Sequence, residues 1–216
     1  MKVLMVNGSA HEKGCTYTAL TEVGETLKSL GIDYEIFQIG NKPFRECISC
    51  GGCKTPENNG LGCVFNDDMV NEFAKKAYEA DGFVFGSPVY YGHPAGNLLS
   101  FMDRLFFSCW DGAVYKPFMF KPAAAVVSAR RGGTTATIDC ITKHFGNTQM
   151  ITVGSTYWTL VHGMSPEEVK QDEEGLQAMR NLGRNMAWLI KSIKAGKDSG
   201  IGLPETEAKY VTNFIR

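Results

Sequence analysis

Short apolar runs alternate along the chain with stretches whose apolar residues recur every three or four positions. KVLMVN (residues 2–7) is a continuous apolar run ending in a glycine-containing loop, the pattern of a buried strand. Beyond the loop, Leu20, Val23, Leu27 and Leu30 fall at helical spacing, and Gly31 supplies the stop. YEIFQI (34–39) reads as a second strand, followed by a long loop rich in cysteine. Asn66 or Asp67 is then expected to cap a helix carrying Met69, Val70, Phe73 and Ala77 on one face. GFVFGSP (82–88) is a third strand, and Leu98, Phe101, Met102 and Leu105 mark the helix after it. AAAVVS (123–128) is a fourth strand, with a helix over 134–145 and a short fifth strand around 149–153. A long helix is expected from Ser165, where SPEE forms a capping box with Pro166 at the first helical position and Glu168 reaching back. Five such alternations predict an α/β protein: a doubly wound five-stranded parallel sheet with helices on both faces. The expected division is a domain over 1–195 and a partly irregular arm over 196–216, which covers its own surface or packs across a subunit contact.

Ligands of such sheets sit beyond the carboxyl ends of the strands, where strand order reverses. Three loops occupy those ends. NGSAHEKGCTYT (7–18) joins strand 1 to helix 1, and its glycines and hydroxyls suit a phosphate held at a helix N-terminus. It lacks the lysine of GxxxxGK[ST], since Cys15 follows Gly14, and it is not GxGxxG. Ser9, Thr16 and His11 offer neutral donors for a terminal monophosphate; an ordinary polar loop is the plain alternative. In GSPVYYGHPAGNL (86–98), Pro88 and Gly92 set an extended turn, while Tyr90 and Tyr91 offer aromatic surface to a flat ring or cap the sheet as half-buried residues. In SARRGGTTAT (128–137), Gly132 and Gly133 permit close backbone approach, and Arg130 and Arg131 can pair with an anion or a polarised ring carbonyl.

Composition narrows the classes. The chain has 216 residues, 44% hydrophobic and 21% charged, with a formal net charge of −1. That balance argues against a nucleic-acid binder, which normally carries a strongly basic face. The first apolar run is too short for a signal segment and no later one reaches spanning length, so no membrane association and a cytoplasmic location are expected. Seven cysteines fit reduced thiols or a metal site better than a disulfide framework.

GSAHEKGCT resembles the GSxRxxGNT phosphate loop of the flavodoxin-like, NADPH-dependent FMN reductase family, and SPVYYGHPAGNLLSFMDRL resembles that family's SPxYxxxxxxxLKxFxDR segment. His11 stands where the family has arginine, and Cys15 where it has asparagine. The resemblance runs from residue 1 to about residue 190. It implies a flavodoxin-like fold, FMN at the strand ends, and NAD(P)H as co-substrate. Ser9, His11, Cys15 and Thr16 would then hold the phosphate. Pro88, Val89, Tyr90 and Tyr91 would meet the ribityl chain and ring, and Ser128, Arg130, Arg131, Gly132 and Gly133 the pyrimidine side. The expected activity is ping-pong transfer of reducing equivalents to a small acceptor such as a quinone, azo compound or free flavin. An iron–sulfur flavoprotein or a flavodoxin-type electron carrier is the alternative.

No Ser/His/Asp or paired-carboxylate set is visible, and neither His93 nor His162 is assigned a catalytic role. Trp158 is read evenly as core packing or as a wall of the flavin site. The apolar arc Leu176, Met179, Leu182, Met186, Leu189, Ile190 and Ile193 on the last helix exceeds the needs of one sheet face, so a homodimer or homotetramer is expected. Cys47, Cys50, Cys53 and Cys63, spaced C-x2-C-x2-C-x9-C, resemble the compact motif of iron–sulfur flavoproteins and are the ligands if a 4Fe–4S cluster is held. The wide gap before Cys63 sets a metal-free loop ahead of the cluster, with zinc behind both.

Overall fold

The computed structural model describes every residue except 44, 59, 61, 208, 209, 211, 215 and 216. In chain order it contains β1 (Lys2–Asn7), α1 (Cys15–Ser29), β2 (Asp33–Gln38), α2 (Val70–Glu79), β3 (Gly82–Tyr90), β4 (His93–Pro94), α3 (Gly96–Cys109), β5 (Pro122–Ala129), α4 (Thr134–Asn147), β6 (Ile151–Thr152), β7 (Leu160–His162), α5 (Pro166–Val169) and α6 (Glu173–Asp198). The parallel sheet runs β2–β1–β3–β5–β6, with β7 pairing β5 further along and β4 lying antiparallel to β3. This is the flavodoxin-like order, whose reversal between β1 and β3 opens a ligand site beyond their carboxyl ends.

Alternation along the strands divides the core. Leu4, Val6, Phe83, Phe85, Ala123 and Ala125 meet α2, α3 and α4, while Val3, Met5, Val84, Ala124 and Val126 meet α1 and α6. The first face is unusually aromatic: Phe73 on α2 lies 5.2 Å from Phe101 and 5.3 Å from Phe37, both edge to face. The second face is aliphatic and closely packed. Gly183 of α6 lies against Thr26, where a Cβ would come within 2.9 Å.

Five features differ from the sequence expectations. The fifth strand is split: β6 pairs with Pro122–Ala123 and β7 with Val127–Ala129, and residues 153–159 bulge between them. The last helix is also split. Ser165 caps α5, accepting from the Glu168 N–H at 3.3 Å, and the Glu168 carboxylate reaches back to the Met164 N–H at 2.7 Å. Asp172 then caps α6 separately, through Gly175 N–H at 2.9 Å. The start of α2 is held by Asp68, which accepts from Val70 N–H at 3.1 Å, rather than by Asn66 or Asp67. The apolar arc of α6 is largely satisfied within the chain: Met179, Leu182, Met186 and Ile190 are buried against α1 and the sheet. It therefore does not itself demand a partner, and the large exposed apolar residue of α6 is Trp188. Finally, α6 runs to Asp198 before Gly200 turns the chain at φ +90, so the helix continues into the expected arm. Residues 208, 209, 211, 215 and 216 of that arm lie outside the described residues.

Candidate functional site

The register brings Asn7, Gln38, Gly86, Pro88 and Ser128 to one end of the sheet. Asn7 is fully buried there. Its Oδ1 accepts from the Ser9 N–H at 3.2 Å, and its Nδ2 donates to the Glu12 carbonyl at 3.1 Å, the His11 carbonyl at 3.4 Å and Gln38 Oε1. Gln38 returns the tie, donating from Nε2 to the Ser9 carbonyl at 2.7 Å. Two side chains at strand ends thus shape the first loop from below. Neither was singled out in the sequence, although a polar residue closing an otherwise apolar strand is the signal that marks Asn7.

Above them the expected residues divide. Ser9, Thr16 and Ser128 are buried. Ser9 Oγ accepts from the His11 N–H at 3.1 Å, which leaves the Ser9 proton available to a ligand. Thr16 Oγ1 and Ser128 Oγ lie 2.8 Å apart, so this pair spends one proton internally and keeps the other. The same contact ties the start of α1 to the end of β5. Gly14 caps α1 without a side-chain hydrogen bond, and the first turn holds no acidic residue. The helix therefore presents its amide donors and the positive end of its dipole to an anion. Cys15 contributes differently from the expectation. Its thiol faces the Gly163 carbonyl at 3.6 Å, and burial pushes its pKa up; its backbone N–H belongs to the first turn of α1. The His11 side chain is exposed.

The second loop is a hairpin rather than an open extended turn. Val89 pairs with Pro94 and Tyr90 with His93, and Tyr91 and Gly92 form the two-residue turn at φ 51 and 81. Positive φ at both central positions is the type I′ requirement. Tyr91 is fully exposed at the tip and Tyr90 half-exposed. The third loop packs directly on this hairpin. Gly133 has φ +93, and a Cβ there would meet Gly92 Cα and Val89 Cγ1, each at 2.9 Å. Arg130, Arg131 and Gly132 are exposed, and the Arg131 carbonyl lies 3.0 Å from His162 Nε2. The first loop meets the second through Gly8, whose N–H donates to the Gly86 carbonyl at 2.8 Å. Three loops therefore converge, with buried hydroxyls below and an open face above. Trp158 is half-exposed on the bulge between β6 and β7, edge to face with Tyr157 at 4.7 Å, so core packing does not account for it.

The cysteine loop forms a second site. Cys47, Cys50, Cys53 and Cys63 line one small cavity of about 20 Å³, together with Arg104, Phe107 and Ser108 of α3. Ser49 and Gly51 take φ 52 and 72 to curl the chain, and Gly52 packs so closely on Val64 that a Cβ would meet its methyls at 2.9 Å. Cys63 is returned to the loop by Asn71 of α2, which accepts from its N–H at 2.7 Å and donates to its carbonyl at 2.8 Å. At the other side Lys54 donates to the Phe107 and Trp110 carbonyls and sits over their rings, 4.6 and 5.1 Å from the centroids. Burial raises the pKa of the Cys53 thiol; Lys54 opposes this, and Cys63 and Cys47 add to it. Among the described residues no three His, Cys, Asp or Glu side chains converge tightly enough for a single ion.

Residues 1–165 match the family described as NADPH-dependent FMN reductase. An iron–sulfur flavoprotein of Methanocaldococcus jannaschii is 34% identical over 203 residues, spanning 90% of this chain and 100% of that protein. An FMN-dependent NADPH-azoreductase of Staphylococcus aureus is 29% identical over 105 residues, 49% of this chain and 52% of that one. Among solved structures, an NAD(P)H:quinone oxidoreductase from Methanothermobacter marburgensis superposes with a TM-score of 0.61 at 18% identity, covering 86% of this chain and 98% of that one.

Proposed function

The chain belongs to the NADPH-dependent FMN reductase family, an FMN-binding oxidoreductase with a flavodoxin-like fold, and from that premise we propose that it passes reducing equivalents from NAD(P)H to a small acceptor by a ping-pong cycle. The observation that carries this reading is the convergence of three strand-end loops on an uncapped helix start, with an open face above. Bound there, FMN supplies two-electron chemistry, so that NAD(P)H, a proton and an oxidised acceptor become NAD(P)⁺ and the acceptor reduced by two electrons and two protons. The chain's own work is positional. Ser9, Thr16 and Ser128 offer hydroxyls, and the first turn of α1 its amides, to the single phosphate. The Pro88–Tyr90 edge and the Gly132–Gly133 backbone flank the ring, while Arg130 and Arg131 supply positive charge near its polar side. Because the face is open, nicotinamide and acceptor take the same place in turn. Quinones, azo compounds and flavins are the acceptor class that fits. Steady-state rates should give parallel double-reciprocal lines, and anaerobic NAD(P)H should bleach the flavin before acceptor is added. Flavin that stays yellow under NAD(P)H would instead mark an electron carrier.

A specific observation favours a second cofactor. The gap before Cys63 weighs against a cluster in the sequence, but Cys63 lines the same small cavity as the other three, its backbone held by Asn71. The 34% identical relative is named an iron–sulfur flavoprotein. We therefore propose that Cys47, Cys50, Cys53 and Cys63 hold a 4Fe–4S cluster, which supplies one-electron transfer when bound. Anaerobic loading with iron and sulfide should give about four irons per chain, lost on Cys50→Ala; substoichiometric iron would return the loop to a structural role. The openness of the flavin face also supports assembly, with a second subunit completing the cleft. Light scattering at micromolar concentration should show a dimer or tetramer, and a monomer would exclude this.

A further inference from the structure

Among the described residues Arg104 is the largest side chain wholly inside the protein, 1% exposed, and it lines the cysteine cavity. A buried guanidinium needs a reason, because removing an unpaired charge from water is costly. Its contacts are unusual in being gathered from both flanks of the cysteine segment. Nη1 donates to the Arg45 carbonyl at 3.2 Å, two residues before Cys47, and to Asp68 Oδ2. Nη2 donates to Cys63 Sγ at 3.5 Å and to the Phe65 carbonyl at 3.4 Å. Nε is buried and has no partner among the described residues. A guanidinium does not lose its proton in a protein, and the Asp68 carboxylate is the counter-charge that pairs with it. One fork thus closes the loop across residues 45 to 68 and reaches a cysteine sulfur from α3, the helix that also follows the flavin-side hairpin.

We propose that Arg104 is the positioning residue of the four-cysteine site and, with Asp68, sets the reduction potential of the group held there. The inference rests on the cluster reading above. Reduction adds negative charge to a cluster, so a fixed cation hydrogen-bonded to a ligand sulfur favours the reduced form, and the Asp68 carboxylate behind it offsets part of that effect. The pair therefore predicts opposite signs. In holoprotein loaded anaerobically, Arg104→Gln should make the cluster's midpoint potential more negative. Asp68→Asn, which keeps an acceptor for Val70, should make it more positive. Arg104→Lys, which keeps charge but not the fork, should fall between wild type and Arg104→Gln. Release of iron to a chelator should quicken by about tenfold or more in Arg104→Gln, the usual scale for an outer-shell partner.

The measurement is a redox titration followed by electron paramagnetic resonance, with iron and FMN counted per chain. If Arg104→Gln fails to load, Asp68→Asn and Arg104→Lys carry the test. Shifts of opposite sign support the proposal, since a role in folding alone would not move Asp68→Asn upward. Equal potentials in wild type and in every variant that loads four irons would overturn it while leaving the cluster reading intact. A wild-type protein that takes up no iron would overturn both.

Discussion

The most exposing perturbation of the flavin site is one that touches no ligand. Asn7 is fully buried beneath the first loop, and Asn7→Ala removes its bond to the Ser9 N–H at 3.2 Å, those to the Glu12 and His11 carbonyls at 3.1 and 3.4 Å, and that to Gln38 Oε1. His11 and Glu12 are exposed and can turn to water, so their loss is small. Ser9 is buried, and its stranded N–H carries most of the cost, which brings the total to about 2–3 kcal/mol. That energy holds the loop ready for the phosphate. If the loop must be ordered again on binding, it appears in the FMN dissociation constant as about a 30- to 150-fold weakening. Asn7→Asp separates the two halves of the side chain. It keeps the acceptor for Ser9 but turns oxygen toward the Glu12 and His11 carbonyls and Gln38. Its carboxyl must then stay protonated to donate, so FMN affinity in this variant should recover as pH falls, while the alanine variant shows no such recovery. Flavin fluorescence quenching gives the affinities, and thermal unfolding of the apoprotein reports the stability separately. An alanine variant with a lower melting temperature but wild-type FMN affinity would refute the reasoning, because Asn7 would then serve only the core.

Other variants test the neighbouring contacts. Ser9→Ala with Thr16→Ala should weaken FMN by one to two orders of magnitude, on the order of 1 kcal/mol per lost hydrogen bond, and unchanged affinity would remove the phosphate assignment. Gly133→Ala forces a Cβ at φ +93 and 2.9 Å from Gly92 and Val89; about 1–2 kcal/mol of backbone strain plus displacement of the hairpin should lower both the melting temperature and FMN affinity. Lys121 is pulled down to about 8 by burial, with Asp81 opposing and Lys197 adding. Its folded-state pKa lies below the unfolded value, so the unfolded chain holds more protons between those limits and stability should rise from about pH 8 towards 10.5. Urea unfolding of wild type and Lys121→Met should show that rise disappear in the variant.

How far the sequence reveals the fold depends on whether each signal is local. β1, β3 and β5 were legible to within two residues because both faces of a parallel strand are buried and the apolar run has nothing to interrupt it. Of the fifth strand only the first part, β6, falls where the sequence places it; the second pairing, β7, lies seven residues on and is too short to read. The hairpin at Tyr91–Gly92 carries a usable cue, a glycine after an aromatic pair, but a two-residue β4 offers no alternation to confirm it. The break before α6 also had a cue: Asp172 followed by two glutamates is a second N-terminal signal inside what reads as one helix. Ser9, Thr16 and Ser128 were read as belonging to loops at one end of the sheet, whereas the 2.8 Å contact that joins two of them spans 112 positions and has no local trace.

In the cysteine loop, spacing alone does not tell where Cys63 lies relative to the other three cysteines. A gap of nine residues before Cys63 looks too long for a compact cluster motif when the chain is imagined as a simple coil. Folded, the gap includes Gly60 and Gly62 at φ +73 and +139, conformations that reverse the chain. A Cβ on Gly62 would meet Asn71 Oδ1 at 2.7 Å, so that glycine is what lets α2 grip the Cys63 backbone on both sides. The grip comes from residue 71 and the hydrogen bond to sulfur from residue 104, each outside the motif. α3 then has two loads. Its N-terminal end follows the hairpin that packs against Gly133 at the flavin side, while its middle and far end hold Cys63 and Cys53 through Arg104 and Lys54. A shift of this helix would move the hairpin and the cysteine loop together, so α3 physically connects the two candidate sites.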